Sequence, residues 1–285
     1  MSDRLAVLAQ YLLPKQALTA LAGKAADAKW GNVTTKFIRW FVGKYEVNMD
    51  EAVNPDIGSY ETFNAFFTRP LKVGARPIAV SDLICPVDGA ISQFGPITQG
   101  QIFQAKGHEF STTALIGGDS KAAAEYANGS FANIYLSPRD YHRIHMPCEG
   151  KLIRMVYIPG DLFSVNPTTA RGVPNLFARN ERLVCFFESA NGNFVLTLVG
   201  ATIVGSMATV WHGTINPPRP GKIRTWDYPD KNIVLKKGEE MGRFMLGSTV
   251  VLLFPQSDLR FNPAWKPAAS VKLGEVMADF PAISN

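Results

Sequence analysis

From residue 84 onward the chain consists of short apolar runs that glycine and proline interrupt. The clearest runs are residues 131–136, 152–158, 183–187, 194–199 and 248–254. Runs of this length, rich in β-branched and aromatic residues, favour strands, whereas helices need about ten or more residues. Helical patterns are few in this part, residues 120–126 being one candidate. Short apolar runs separated by glycine and proline therefore predict a mostly antiparallel β body.

The first 45 residues have a different pattern, which predicts three short helices. Leucines recur at helical spacing before Pro14, which ends the first helix, and Asn32 is a plausible cap for the third. In that third helix an apolar face is formed by Val33, Phe37, Trp40 and Phe41. The expected fold class is α+β, with N-terminal amphipathic helices followed by a mostly antiparallel β catalytic body. We place the boundary between residues 1–45 and residues 46–285.

The net charge of +5 belongs to the N-terminal helices. Residues 1–45 hold seven basic and two acidic residues, and the rest of the chain is balanced. A basic helix with tryptophan and phenylalanine on its apolar side is typical of an anionic membrane surface, although packing on the body is an open alternative. The neutral body lacks a basic patch with interleaved aromatics, so nucleic acid is not an expected partner. With 46% apolar and 19% charged residues, the composition excludes disordered, collagen-like and coiled-coil chains.

Cysteine usage and the longest uncharged stretch bear on the compartment. The three cysteines are widely spaced without a CxxC pair, which predicts a reducing compartment and no disulfide framework. No signal peptide is visible at the start. Residues 189–211 carry no charge, yet their glycines and β-branched residues predict two buried strands better than a membrane-spanning helix. A peripheral or soluble protein is expected.

Two of the four histidines, His142 and His145, form an HxxH pair. Such a pair could bind zinc on a helix, where positions i and i+3 share a face. The Met-Pro-Cys-Glu-Gly that follows forbids a long helix, and on a strand the two rings would point to opposite sides. These features favour two histidines with different roles, one of them catalytic, over a shared zinc site. Zinc binding and two hydrogen-bonded structural histidines remain alternatives.

Two further residues could carry chemistry if they had the right partners. Asp88 precedes Gly89 in a predicted turn, and its carboxylate could orient a histidine that acts as a base. Gly247-Ser248 lies at the entrance of an apolar run, where a turn or bulge is the ordinary interpretation. No G-x-S-x-G motif is present, which disfavours an α/β-hydrolase serine.

A set of motifs covers nearly the whole chain, namely FNAFFTRPLK (63–72), ARPI (75–78), PVDG (86–89), QAKG (104–107), LSPRDYHRIHMP (136–147), PGDLFSVN (159–166) and FMLGST (244–249). Taken together and in this order, these motifs resemble the pyruvoyl-dependent, prokaryotic type of phosphatidylserine decarboxylase. Any one of them could arise by chance. The resemblance rests on their order and on the LGST sequence near the C-terminus.

The resemblance implies a lyase that is made as a proenzyme and cuts itself. Ser248 would attack the carbonyl of Gly247, which divides the chain into residues 1–247 and 248–285 and leaves a pyruvoyl group at residue 248. That covalent cofactor would form an imine with phosphatidylserine, release carbon dioxide and yield phosphatidylethanolamine. Pyridoxal phosphate and a metal would then not be needed.

The same resemblance implies roles for individual residues. Asp88, His145 and Ser248 would form the processing triad, in which Asp88 orients His145 and His145 deprotonates Ser248. His142 would serve decarboxylation. Phe163 and Ser164 are expected to contact the substrate.

We further expect a homo-oligomer, a dimer, bound peripherally at the cytoplasmic face of an anionic membrane that contains phosphatidylserine. A pyruvoyl decarboxylase of a soluble amino acid, a lipoyl- or biotinyl-like carrier and a zinc hydrolase built on the HxxH pair are the alternatives. His212 stands where the resemblance leads us to expect a small residue, and we attribute it to packing.

Overall fold

The computed structural model describes residues 3–203, 206–245 and 248–281. Helices dominate the first 67 residues and antiparallel strands the rest, so the predicted α+β class is confirmed. The helices are α1 (Asp3–Leu12), α2 (Lys15–Asp27), α3 (Asn32–Tyr45), a 3₁₀ turn (Ile57–Ser59), α4 (Phe63–Phe67), α5 (Thr112–Leu115), α6 (Ser120–Ala124), α7 (Pro167–Gly172) and α8 (Leu176–Arg179).

The strands follow the predicted apolar runs closely. They are β1 (Leu83–Ile84), β2 (Gly89–Pro96), β3 (Gln101–Ala105), β4 (His108–Ser111), β5 (Ser130–Leu136), β6 (Arg143–His145), β7 (Gly150–Ile158), β8 (Arg182–Ser189), β9 (Gly192–Val199), β10 (Ser206–Thr209), β11 (Gly213–Thr214), β12 (Arg224–Asp227), β13 (Val234–Leu235), β14 (Glu240–Met245), β15 (Ser248–Phe254), β16 (Arg260–Phe261), β17 (Ser270–Val271) and β18 (Val276–Asp279).

The main sheet has β15 near its centre. Its strand order is β12-β7-β8-β9-β15-β5-β2-β17, and β13 also pairs with β7. All seven residues of β15 are buried, because the strand has β5 and β9 as neighbours and its two faces are covered. A continuous apolar run rather than an alternating one is what such a doubly covered strand requires. The predicted run 248–254 therefore becomes the middle of the core.

A second sheet contains His145, and His142 lies directly before its edge strand. Its order is β11-β10-β14-β6, and β6 holds His145 beside Glu240 of β14. The backbone N–H of Phe244 donates to the carbonyl of His142 at 3.0 Å, which extends this pairing by one residue. Strand β14 ends at Met245 and belongs to this sheet, whereas β15 begins at Ser248 and belongs to the main sheet. The two sheets thus meet where the two strands follow one another in the chain.

The N-terminal helices pack on the body through few side chains. Helix α3 buries Ile38 and Phe41 in a cluster with aromatic side chains of α4. Val7 of α1 joins the main core, while Leu8 and Leu12, predicted on the apolar face of this helix, are exposed. The predicted boundary at residue 45 stays a prediction, but the α3–α4 cluster lies across it.

Two local predictions have different outcomes. Asn32 is the first residue of α3, and Gly31, which has no side chain to form a capping bond, occupies the N-cap position. The hydroxyl of Thr34 accepts from the N–H of Trp30, which precedes the helix. The uncharged stretch 189–211 contains β9 and β10, as predicted. Among the residues that the structure describes, no helix is both long and apolar enough to cross a membrane.

Candidate active site

Ser248 is the first residue of β15 and lies opposite Leu136 of β5. It is fully buried, and its Oγ has no hydrogen-bond partner among the described residues. A buried hydroxyl without a partner costs about 1–3 kcal/mol, so its retention calls for an explanation, of which a catalytic role is one. Gly247, the other residue of the predicted cleavage site, lies outside the described residues.

His142 is anchored beside the strand partner of Ser248. Its Nε2 donates to the carbonyl of Ser137 at 3.0 Å, and Ser137 follows Leu136 in the chain. The ring stacks on Phe67 with centroids 4.1 Å apart and is fully buried. Because a carbonyl can only accept, Nε2 carries the proton and Nδ1 carries the lone pair. That Nδ1 has no partner within the described part of the chain, and burial lowers the pKa of His142 to about 3.

His145 is held by two different contacts. Its Nδ1 donates to the carbonyl of Gly238 at 2.8 Å, and its Nε2 lies 3.2 Å from the hydroxyl of Tyr141. Burial is the largest influence on the pKa of His145 and lowers it. The ring is therefore neutral near pH 7, with the lone pair on Nε2. Such a nitrogen can accept a proton from a hydroxyl that comes within reach.

Asp88 does not hydrogen-bond to His145, in contrast to the orientation expected from the resemblance. The carboxylate of Asp88 accepts hydrogen bonds from Arg76 instead, with Nε 2.9 Å from Oδ1 and Nη2 2.5 Å from Oδ2. The N–H of Leu273 also donates to Oδ1, at 2.9 Å. The backbone N–H of His145 donates to the carbonyl of Pro86, two residues before Asp88. The negative charges of Glu240 and, to a smaller extent, Asp88 therefore act on His145 through space and raise the pKa that burial lowers.

Replacement of Arg76 by methionine is expected to destabilise the protein by about 3–5 kcal/mol. Arg76 bridges Asp88 and Glu51, and its removal would leave buried carboxylate charge unpaired. Urea unfolding at pH 7 measures the loss. Arg76→Lys should lose less, and Arg76→Met combined with Asp88→Asn should recover part of the stability. An unchanged unfolding free energy in the single Arg76→Met variant would contradict this electrostatic role.

Sequence reasoning missed Asp140, Tyr141 and Arg69. Asp140 accepts bonds from the N–H and the hydroxyl of Ser137 at 2.6 and 2.7 Å, and burial raises its pKa. With Asp88, the three residues line a polar cavity of about 210 Å³. Asp140 and Tyr141 lie in the same sequence motif as both histidines, and this position in the motif could have identified them. Only the fold shows that they face the same cavity as Asp88.

The two predicted substrate contacts are placed differently. Ser164 lines a second cavity of about 210 Å³, which we call the inner cavity, together with Leu136 and Phe67. Phe163 is 1% exposed and packs on Tyr11 of α1 with ring centroids 4.9 Å apart. The structure thus places Ser164 in the inner cavity and packs Phe163 against α1. Substrate contact by either residue stays a prediction.

The HxxH pair does not present its two rings to one ion. His142 and His145 direct ring nitrogens to two different carbonyls, those of Ser137 and Gly238. Within residues 3–203, 206–245 and 248–281, no group of three or more potential His, Cys, Asp or Glu ligands is placed to hold a metal. His212 lies away from these residues, against Trp226 with ring centroids 4.9 Å apart.

The low pKa of His142 predicts a loss of stability in acid. Below pH 6.5 the unfolded chain takes up a proton that the folded protein accepts only near pH 3, so the unfolding free energy falls by up to about 1.4 kcal/mol per pH unit across that window. Above pH 7 this residue contributes no pH dependence. The test compares Ser248→Ala with Ser248→Ala/His142→Gln, because the serine change keeps both proteins in one covalent state. Between pH 7 and pH 5 we expect the unfolding free energy of the double variant to fall by about 2 kcal/mol less than that of Ser248→Ala. Equal losses in urea titrations of both proteins would contradict the neutral buried ring.

Comparison with known proteins places these residues in a family context. The profile of the family described as phosphatidylserine decarboxylase matches residues 63–279, and a second profile, described as PSD, matches residues 5–46. A phosphatidylserine decarboxylase proenzyme of Dechloromonas aromatica (strain RCB) is 73% identical over 277 residues, 97% of this chain and 98% of the relative. Proteins with the same name from Polaromonas naphthalenivorans (strain CJ2) and Albidiferax ferrireducens are 70% and 67% identical, each over the full length of both chains.

Proposed function

This chain belongs to the phosphatidylserine decarboxylase family of carboxy-lyase proenzymes, and from that premise we propose that it cleaves itself before Ser248 and then decarboxylates phosphatidylserine to phosphatidylethanolamine. The observation that carries the proposal is the buried Oγ of Ser248 at the start of the central strand, which has no hydrogen-bond partner among the described residues. His142 is anchored to the carbonyl of Ser137, which follows Leu136, the strand partner of Ser248, and His145 lies three residues farther along the chain on β6.

In the first step, Ser248 Oγ attacks the carbonyl carbon of Gly247. The Oγ–C bond forms and the C–N bond breaks, so that the chain is joined by an ester and the nitrogen of residue 248 becomes a free amine. A base then removes the α-proton of residue 248, and the Gly247 carboxylate leaves. Water hydrolyses the resulting unsaturated amine, releases ammonia and leaves a ketone. Atoms balance with one water consumed and one ammonia released.

We assign the base for this step to His145. Its Nε2 has the lone pair, its Nδ1 is fixed by the carbonyl of Gly238, and the charge of Asp88 stabilises the protonated ring through space. A serine hydroxyl is a weak nucleophile until such a base takes its proton. Tyr141, whose hydroxyl lies 3.2 Å from Nε2, would have to yield that position when Ser248 is deprotonated.

A pyruvoyl group at residue 248 would supply a carbonyl that condenses with a primary amine and withdraws electrons from the neighbouring carbon–carboxylate bond. The surroundings of Ser248 fit this group, because the residue is buried and its strand partner Leu136 lines the inner cavity. No pyridoxal phosphate or metal is then required. His142 would accept a proton from the substrate's ammonium group at Nδ1, its only ring nitrogen without a partner in the described residues, and would return it to the α-carbon when the carboxylate is lost. Burial excludes water, which favours loss of the carboxylate charge.

We further propose that the enzyme works peripherally on the cytoplasmic face of an anionic membrane, as a homodimer of cleaved protomers made of chains 1–247 and 248–285. Trp30, which precedes α3, and three apolar side chains of α3 are between 47% and 59% exposed; the three are Val33, Phe37 and Trp40. Exposed lysines and arginines accompany them on α3, at Lys36 and Arg39. Exposed aromatics beside basic residues suit the headgroup region of anionic lipid.

The proposal is tested on the purified protein by intact mass under denaturing conditions, followed by a carbon dioxide release assay with phosphatidylserine. We expect two chains that break between residues 247 and 248, with the smaller chain lacking a free amino group. A single intact chain that still releases carbon dioxide would overturn the self-processing mechanism. Two chains with no release from phosphatidylserine would overturn the substrate.

Loss of two positive charges from α3 is expected to weaken membrane binding by roughly 30-fold, since each basic residue near an anionic surface contributes about 1 kcal/mol. Lys36→Gln/Arg39→Gln should show this loss in sedimentation with phosphatidylserine-containing vesicles, and the difference should shrink at high salt. Lys121→Gln/Lys222→Gln, on the body, is the matched control. Point changes are preferable to truncation at residue 45, which would remove the buried Ile38 and Phe41. Equal binding by both variants would make the charge on α3 incidental.

A further inference from the structure

Glu181 carries a buried carboxylate that no step at Ser248 uses. It directly precedes β8 and is 2% exposed. Its Oε1 accepts hydrogen bonds from the hydroxyl of Tyr157 and, at 2.9 Å, from Nδ2 of Asn216, and its Oε2 accepts from Nε of Arg219 at 2.9 Å. Breaking such a buried, charge-assisted arrangement is costly, so the carboxylate is fixed in position. We call these four residues the Glu181 cluster.

Asn216 connects the Glu181 cluster to strand β10. Asn216 is 1% exposed, and its Oδ1 accepts from the backbone N–H of Met207 at 2.9 Å. Its backbone carbonyl accepts from the hydroxyl of Ser206. The first two residues of β10 are therefore held by a single buried asparagine, whose side-chain amide is itself oriented by Glu181.

Strand β10 in turn holds the end of β14. Ser206 pairs with Met245, and only two residues of chain separate Met245 from Ser248. The pairing of β14 with its other neighbour, β6, ends at Arg243. Within the described residues, β10 is therefore the strand that fixes Met245, and loss of its anchor should release the end of β14 but not its middle.

The backbone of Glu181 holds the other side of the predicted cut. Its carbonyl accepts from the N–H of Gly200 at 2.8 Å, and Gly200 follows Val199, which pairs with Thr249 of β15. One buried residue therefore acts on both strands that flank the cut. Its side chain holds the strand that pairs with Met245, and its backbone holds the strand that pairs with Thr249.

We propose that Glu181 and Asn216 are positioning residues for self-cleavage, an inference that rests on the proposed function. They fix the end of β14 relative to the start of β15, and so set the approach of Ser248 Oγ to the carbonyl of Gly247. Such an attack depends on distance and orientation, and a misplacement of about 1 Å can cost roughly 10²-fold in rate. Because the cut removes the covalent link between the two strands, the same residues should not affect the later decarboxylation.

The experiment follows cleavage of the full chain after its synthesis and then measures carbon dioxide release per cut chain. Asn216→Leu removes both amide contacts and should slow cleavage by roughly 10²-fold. Ser206→Ala removes one hydrogen bond to Asn216 and leaves the Glu181 cluster intact, so it should slow cleavage roughly tenfold. Both variants should have the wild-type kcat/KM for phosphatidylserine once they are cut.

Tyr157→Phe is the matched control, because it removes a buried hydrogen bond from the same carboxylate without a change in the contacts of β10. This variant should be cut at the wild-type rate. Urea unfolding of each variant in a Ser248→Ala background measures the stability of the uncut chain and shows whether it is folded under the assay conditions. Ser206→Ala carries the test if Asn216→Leu does not fold.

The outcomes separate this inference from the proposed function. If folded Asn216→Leu and Ser206→Ala are both cut at the wild-type rate, the inference is overturned. Equal slowing in all three variants would also overturn it, because the Glu181 cluster would then support the fold in general. A loss of kcat/KM as large as the loss of cleavage rate would lead to the same conclusion. A wild-type chain that never cuts itself would instead refute the proposed function, whatever the variants do.

Discussion

Ser248→Ala is expected to leave a single intact chain of 285 residues and to reduce decarboxylation by at least about 10⁴-fold, because loss of a single essential catalytic group costs about this much or more. Alanine cannot attack the preceding carbonyl, so neither the cut nor the ketone forms. Intact mass spectrometry of the purified variant measures the first effect, and carbon dioxide release measures the second. A normally cut Ser248→Ala protein would contradict the assigned nucleophile.

The chain offers a close control at the next residue. Thr249 is fully buried on β15, and its hydroxyl also lacks a partner in the described structure. Thr249→Val removes this hydroxyl while it keeps the side-chain volume and the strand. We expect that variant to be cut and active. If Thr249→Val also stays intact, the loss in Ser248→Ala reflects packing of the strand entrance and not nucleophilic attack.

The two histidines should separate into two functions when each is replaced by glutamine. His145→Gln is expected to slow cleavage by about 10²–10⁴-fold, the range for loss of a general base. His142→Gln is expected to cleave normally and to lose decarboxylation by a similar factor. A time course of cleavage after synthesis, followed by carbon dioxide release from the cut protein, measures both. His212→Gln, outside the site, should leave both reactions unchanged.

The structure also gives a reason to test the opposite assignment, in which His142 and His145 exchange roles. His142 is the ring anchored next to the strand partner of Ser248, and its Nδ1 is unpartnered within the described chain. Both nitrogens of His145 already have contacts. If His142→Gln accumulates uncut while His145→Gln is processed, His142 is the base for cleavage and the division of labour proposed here is wrong.

Local sequence was sufficient where the structure depends on local composition. The run 248–254 becomes β15 with the predicted limits, because Ser248 is followed by six apolar or β-branched residues, a run whose length and composition favour a strand buried on both faces. Proline at position 14 separates α1 from α2 for an equally local reason. Asn32 shows the limit of this approach, since the helix begins at Asn32 itself and leaves Gly31 in the N-cap position.

The family, the α+β class and the candidate residues Asp88, His142, His145 and Ser248 could all be read from the sequence, because they depend on residue type and order. The groups that these residues contact could not be read from the sequence. His145 is held by a backbone carbonyl 93 residues away, and every residue has such a carbonyl, so no side-chain signal marks this one. The pairing of Asp88 with Arg76 and the covering of Phe163 by α1 likewise depend on which surfaces pack together. Only the tertiary structure decides these contacts, because packing brings together groups that are distant in the chain.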